Sequence, residues 1–551
     1  MLIFCIAVFC FCCFYLLSGY HSLVKWYVGL NDCFYQHESW SSSFFTPAVK
    51  SAGNWYCLLA MLISVAGAYV AVKRTRERKE PGMGTLQVDK SDTVLIGICL
   101  AVATAAWVWG KSLVAASNDE VFSAVNCAGI HPFQTISYYM LPNNHILFNL
   151  LNNIIFHPFS NKVFTGRLIS LGCYWAMIVL FYHWLAGLFS PKWLVALATL
   201  TMALQFPIWA FSFQARGYEL IALSEWITFI AFFKYLFSSD RKWLAVHVLA
   251  CCVGYFCVPS FLYFYVAIII FALFYQFYNK KADKTFWKYQ LAAVAIVYLL
   301  YLPCLCFSGP SAITQNQYVA KGLDYKQLLD LALPMFQNYV DYCFLAFTDA
   351  KHNIAYLLFL LPVCLLFFPK NKVAFLMGCF FVSMWAGCLL LTIKMKIFPI
   401  DRALTGQFSI TLGLVIYTVY LLLSGLSRKI KQNLLPLFVL PVLLVLLSVY
   451  YLMEGGAHVS YYTCHSPVNL LHDEKVNDGL TVIPAGSTVA FSNEGFYWYY
   501  LCQKYGYKAS KCMNGDEEYY IALPAEPLSA SMQGQFSPMK TVGGYIIYKR
   551  K

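Results

Sequence analysis

The stretch SNDEVFSAVNCAGIHPFQTISYYMLPNNHILFNLLNNIIF, Ser117 to Phe156, follows an almost wholly apolar run, Val94 to Trp109. It opens with adjacent carboxylates, Asp119 and Glu120, and continues through prolines, paired asparagines and a histidine. Its reading turns on one question. If the apolar run crosses a membrane, the acidic pair stands at one membrane face, and its chemistry depends on which.

Composition supports the membrane. The 551 residues are 60% hydrophobic and 18% aromatic, with only 12% charged. A soluble chain carries roughly twice that charged fraction. Apolar runs close to membrane-spanning length recur throughout, too long for the strands of a β-barrel. The net charge of +13 does not indicate a nucleic-acid partner, because the basic residues lie mostly in short loops between apolar runs. Most of the 21 cysteines sit inside apolar runs, where they act as small hydrophobes. The Cys10–Cys13 pair has no second pair or histidine beside it, and no H-E-x-x-H occurs. The first run, MLIFCIAVFCFCCFYLLSGY, has no basic start and no clear cleavage site, so it reads as a span.

Thirteen spans are expected: Leu2–Leu17, Trp55–Val72, Val94–Trp109, Leu168–Leu188, Trp193–Phe211, Leu220–Phe237, Trp243–Val258, Phe261–Tyr278, Leu291–Phe307, Ile354–Phe368, Val373–Thr392, Phe408–Leu423 and Leu434–Leu452. Basic loops, among them KRTRERKE after the second span and NKKADKTFWK after the eighth, follow even-numbered spans. The positive-inside rule then places the N-terminus in the cytoplasm and the acidic pair just above the outer surface. Lys394, Lys396 and Arg402 follow the eleventh span and fall outside, against the trend.

Three regions follow: 1–92, two spans and a basic loop; 93–453, the catalytic membrane region with outer loop 110–167; and 454–551, outside the membrane. In the last, STVAF…KASKC reads as strand, helix, strand, while EYYIALP and GGYIIYKRK read as two more strands. A small α/β domain docked on the membrane part is expected. It contains Cys464, Cys502 and Cys512, and a Cys502–Cys512 bridge is compatible with an oxidising compartment.

From Asn144, His145, Asn149, Asn152 and Asn153 share one face of a helix that Pro142 suits at its start. The pattern predicts an interfacial helix with its polar face towards water or a cavity, with or without chemistry. Mutual repulsion and the nearby apolar phase push the Asp119–Glu120 carboxyls upward, towards a general base; a solvated helix start is the plainer reading. Arg216 and Glu219 lie at the outer ends of spans five and six, with Glu225 deeper; an Arg216–Glu219 pair is the plain option. Arg402 follows Asp401 before span twelve, and Arg167 opens span four. A carboxylate facing arginines at a lipid surface suggests group transfer from a lipid phosphate.

NDEVF, LPNNHILFNLL, GRLIS and QARGYEL, in that order, resemble motifs of the GT-C glycosyltransferases, in the group of the protein O-mannosyltransferases and the lipid A aminoarabinose transferase. The match covers mainly Val94 to Phe237. Here two further spans precede the one that leads into the acidic loop, and Ile146 stands where the family often has proline. The resemblance implies an all-α GT-C-like membrane fold, a polyprenyl-phosphate sugar donor and a hydroxyl acceptor on a glycan, lipid or protein. It implies inversion, with Asp119 as base and Glu120 assisting. Arg216 and Arg402 would stabilise the leaving phosphate, and Asn144, His145, Arg167, Tyr218 and Glu219 would line the substrate site. The resemblance points to no certain cofactor and leaves a divalent metal open. The setting would be a bacterial cytoplasmic membrane with its lipids. A lipid or glycan flippase is the alternative, and it would predict inverted repeats and broken helices near the midplane.

Overall fold

The computed structural model describes residues 2–30, 37–76, 89–139, 144–314, 322–346, 349–429, 435–465, 482–484, 486–491, 496–504, 508–509, 517–522, 528, 530–542 and 545–551. Every one of the thirteen expected apolar segments is helical. Nine described helices are long and apolar enough to cross a membrane, and two bent pairs bring the number to eleven. The remaining two segments are Arg241–Cys257, of 17 residues, and Asp349–Leu360, which continues as a 3-10 helix over Leu361–Phe367. Exposed leucines on the first and last long spans, such as Leu62 and Leu446, face outward, where acyl chains would replace protein contacts.

One bent pair positions the site. Lys192–Ala203 and Phe206–Ser212 meet at 69°. Pro207 has no N–H for the preceding turn, so the helix breaks there and restarts with proline in its first turn. The chain emerges through Gln214–Gly217 and enters the Tyr218–Ser238 helix. The other bent pair, Leu2–Leu17 with Tyr20–Val28, folds the N-terminal part against the Lys284–Phe307 helix. There the Tyr15 hydroxyl donates to the Cys306 carbonyl at 3.0 Å and the Trp40 indole to the Phe307 carbonyl at 3.1 Å.

Towards the C-terminus lies a five-stranded sheet: β1 (Thr488–Phe491), β2 (Lys508–Ala509), β3 (Tyr519–Ala522), β4 (Phe536–Val542) and β5 (Tyr545–Arg550), in the order β2-β1-β3-β5-β4. β4 was not expected. It carries Pro538 at an irregularity in its pairing with β5 and a mostly exposed burial pattern, both permitted because it is an edge strand. The helix Phe496–Lys504 shares a hydrophobic core with the start of the 110–167 loop. Phe496 meets Phe122 edge-on at 5.5 Å, and the Tyr497 hydroxyl donates to the Ala116 carbonyl at 2.9 Å. Cys502 is buried; Cys512 and the Cys464 side chain lie outside the described residues.

The 110–167 loop is itself mostly helical: Asn118–Ser123, a π-helix over Ala124–Ala128, Pro132–Ser137 and Ile146–Ile155. Pro142 lies outside the described residues. The last of these helices forms where its pattern placed it, but its polar face is packed into the loop rather than turned to water, and part of its apolar face is exposed. His145, Asn149, Asn152 and Asn153 are buried, while Ile154 and Ile155 are 58% and 59% exposed. The asparagines are consumed by the loop. Asn149 donates to Asn144 Oδ1 at 3.0 Å, Asn152 to the Lys162 carbonyl at 2.7 Å, and Asn153 to the Ile130 carbonyl at 2.6 Å. Irregular backbone at a membrane face leaves carbonyls to be satisfied, and side-chain amides supply the donors.

Candidate active site

The Asn118–Ser123 helix starts with a capping box. Ser117 Oγ accepts from the Glu120 N–H at 3.3 Å, and the Ser117 N–H donates to Glu120 Oε2 at 2.9 Å. The two carboxylates therefore diverge. Asp119 stays 38% exposed, whereas Glu120 is buried.

Glu120 has every oxygen engaged. Arg167 Nε donates to Oε1 at 2.9 Å and Nη2 to Oε2 at 3.0 Å, a forked pair. The Ala215 N–H adds a bond to Oε1 at 2.6 Å. Burial alone would push this carboxyl up, but the Arg167 charge and hydrogen bonds, with the backbone N–H groups, outweigh it and hold it below the ordinary carboxylate range. The upward push expected for this residue is thus reversed. Arg167 also donates to the Ala115 carbonyl at 3.1 Å, so it braces the loop.

Asp119 faces the other arginines. Arg216 Nη2 lies 3.9 Å from Asp119 Oδ2 and Arg402 Nη1 lies 3.5 Å from the same oxygen. Arg216 is buried; its Nη1 donates to Ser123 Oγ at 2.7 Å and to the Asp119 carbonyl at 3.2 Å. Arg402 is 39% exposed. It sits on the 3-10 turn Asp401–Leu404, where Asp401 Oδ1 accepts its N–H at 2.6 Å. The Tyr218 ring lies 5.6 Å from the Arg216 guanidinium carbon and 5.8 Å from that of Arg402. Two cations sharing one aromatic ring and one carboxylate are held close together.

His145 completes the cluster. Its Nδ1 accepts the Gly217 N–H at 2.7 Å, which assigns the proton of the neutral ring to Nε2. Nε2 stands 3.3 Å from Arg216 Nη2. Burial, then the charges of Arg216 and Arg402, hold the imidazole well below its ordinary range, so it is neutral. A Cβ at Gly217 would fall 2.8 Å from His145 Nδ1 and 2.6 Å from Cys257 Sγ, so only glycine admits this contact. Nε2–H, the Arg216 fork and the Arg402 fork form a set of hydrogen-bond donors beside one half-exposed carboxylate. Such a set suits an anion with several oxygens.

The remaining expected site residues lie elsewhere. Asn144 is buried and donates to the Thr135 and Tyr138 carbonyls at 2.9 and 2.8 Å. Glu219 is buried in the bundle with no hydrogen-bond partner for either oxygen among the described residues, which rules out an Arg216–Glu219 pair. Glu225 is equally buried, packed on Gly406, where a Cβ would sit 2.0 Å from Oε2. That close approach seats the helix Thr405–Lys429, which begins directly after the Arg402 turn. Ser123 and the Ala215 and Gly217 N–H groups were missed from sequence. Ser123 had a readable signal, one helical turn beyond Asp119; the backbone groups had none. Among the described residues, no group of three or more metal-ligating side chains occurs.

The chain is a polytopic membrane protein with a GT-C-like fold. Its structure is similar to that of ArnT from Cupriavidus metallidurans bound to undecaprenyl phosphate, with a TM-score of 0.51, 11% identity, and coverage of 83% of this chain and 98% of that one. Fainter likenesses are to the same protein in its apo state, with a TM-score of 0.47, 12% identity and coverage of 83% and 98%, and to the Archaeoglobus fulgidus oligosaccharyltransferase, with 0.43, 11%, 78% and 65%. No protein-family profile matches the chain, and no curated protein does.

Proposed function

We propose that this protein is an inverting glycosyltransferase that moves a sugar from a polyprenyl-phosphate donor to a hydroxyl acceptor at the outer face of a bacterial cytoplasmic membrane. One observation carries the reading: the half-exposed Asp119 carboxylate lies within 4 Å of both Arg216 and Arg402. The ArnT structure of similar fold holds undecaprenyl phosphate, and a phosphate monoanion or dianion is what the donor set here would accept.

The chemistry divides between the two charges. The acceptor O–H gives its proton to Asp119 as its oxygen bonds to the anomeric carbon. The bond from that carbon to the phosphate oxygen breaks on the opposite side. The electron pair leaves with the phosphate, which needs no acid because it is a stable anion. Arg216, Arg402 and the His145 Nε2–H stabilise it in a low-dielectric site, where such donors are most effective. Asp119 accepts the proton as a carboxylate. Glu120 and Arg167 act as positioning residues: they hold the loop that presents Asp119 and the Ala215–Gly217 turn.

Binding of undecaprenyl phosphate to the detergent-purified protein tests the phosphate site. Arg216→Lys keeps a charge but loses the fork, and Arg402→Ala loses both. Each is expected to weaken binding roughly ten-fold or more, the share of a charge-assisted hydrogen bond. Unchanged affinity in both variants would remove the arginines from the site.

The orientation follows the basic loops. Cysteines placed at Arg76 and Lys281 should react only from the cytoplasmic side, and one at Ser487 only from outside. A cytoplasmic Ser487 would put the site on the wrong face for a lipid-linked donor of this kind.

A further inference from the structure

A cavity of about 550 Å³ opens between the 110–167 loop and the C-terminal sheet region, a size common for small-ligand sites. Its floor is the π-helix Ala124–Ala128 and Gly129, the continuation of the helix that carries Asp119. Its walls include His131, His157, Ser160, Tyr499 and Tyr500. Short π-helical segments cost regular hydrogen bonding and recur at functional positions. The reaction above does not use this cavity.

We infer that the cavity binds neutral sugar rings of the acceptor, so that the acceptor is a glycan or carries one. The inference rests on the proposed glycosyl transfer. Two features select the ligand. The Tyr499 and Tyr500 rings supply flat apolar faces of the kind that the C–H side of a pyranose covers. His131, His157 and Ser160 offer hydrogen-bond partners at the rim, matched to ring hydroxyls. Lys162, the cation in the lining, has its ammonium on the Phe156 carbonyl at 2.7 Å.

The position also fits. The Asn118–Ser123 helix that carries Asp119 runs directly into the Ala124–Ala128 segment, of which Ala124, Val125 and Ala128 line the cavity. A glycan seated there would run along the catalytic helix, and the C-terminal region would contribute directly to acceptor choice.

The test uses the full-length chain in a sugar-free detergent, applied to an array of neutral and acidic oligosaccharides, with undecaprenyl phosphate binding measured in parallel. The wild type should bind neutral glycans. Ser160→Trp, which fills the cleft from an exposed rim position, and Tyr499→Ala should lower that signal roughly three- to ten-fold, the share of one aromatic contact. Both should bind undecaprenyl phosphate as the wild type does. No neutral-glycan binding, or binding that neither variant changes, would overturn the inference. A signal restricted to acidic glycans and abolished by Lys162→Gln would overturn it in favour of an anion site. If undecaprenyl phosphate binding also fails in the wild type, the fault lies with the transferase reading itself.

Discussion

Asp119→Asn should lower sugar transfer by about two to four orders of magnitude, the usual share of a positioned proton transfer. The substitution preserves size and removes the carboxylate oxygen that both Arg216 and Arg402 approach. Folding should persist, since the side chain is 38% exposed and its neighbours have other contacts: Arg216 bonds Ser123, and the Arg402 guanidinium lies over the Tyr218 ring. Undecaprenyl phosphate should bind at least as well, because a competing anion has gone. This pattern, with binding kept and turnover lost, separates a base from a phosphate ligand. A transfer assay with a lipid-linked sugar, paired with donor binding, reads both. Near-normal turnover in the variant would return Asp119 to a plain helix-start residue. A variant that still moves lipid-linked sugar across vesicles would instead favour the flippase.

Glu120→Gln should act on stability rather than on the chemical step. It leaves the buried Arg167 guanidinium without its counter-charge, and breaking such a pair costs about 3–5 kcal/mol. Unfolding in detergent should show a large loss of stability, with turnover falling in proportion to the folded fraction. Glu120→Gln combined with Arg167→Met removes both charges and should recover part of the loss. A single variant as stable as the wild type would show that the pair is dispensable. The pH dependence has a definite sign. The Glu120 carboxyl is held below its ordinary range in the folded state, although burial alone would raise it. Its contribution is therefore complete above the unfolded carboxyl value of about 4.3 and is lost as pH falls through the lower folded value. The wild type should weaken below about pH 4 more steeply than the double variant.

Much of this was written in the residue pattern. Apolar runs of membrane length admit only helix in a bilayer, because lipid offers backbone groups no partners. All thirteen segments were readable for that reason. The strands at Thr488–Phe491, Lys508–Ala509, Tyr519–Ala522 and Tyr545–Arg550 fell where strand patterns stood, while Phe536–Val542 hid behind Pro538. The break at Pro207 was not read, because proline within an apolar run also occurs in unbroken helices such as Lys284–Phe307, which contains Pro303.

The site divides along the same line. Sequence alone determined that a carboxylate pair and several arginines stand near one end of the helices, because charges are costly within the apolar spans. It also placed His145 and three asparagines on one helical face, since a 3.6-residue period depends only on order along the chain. Tertiary structure decided what each group does. The Glu120 and Asp119 side chains are adjacent in sequence and diverge by a helical rotation, so one meets Arg167 inside the loop and the other meets Arg216 and Arg402 at its open edge. The asparagine face turned inward because the irregular loop carried unsatisfied carbonyls, which no sequence period records. Long-range pairing, across 97 positions between Asp119 and Arg216, is chosen by how the helices pack and not by the residues as a string.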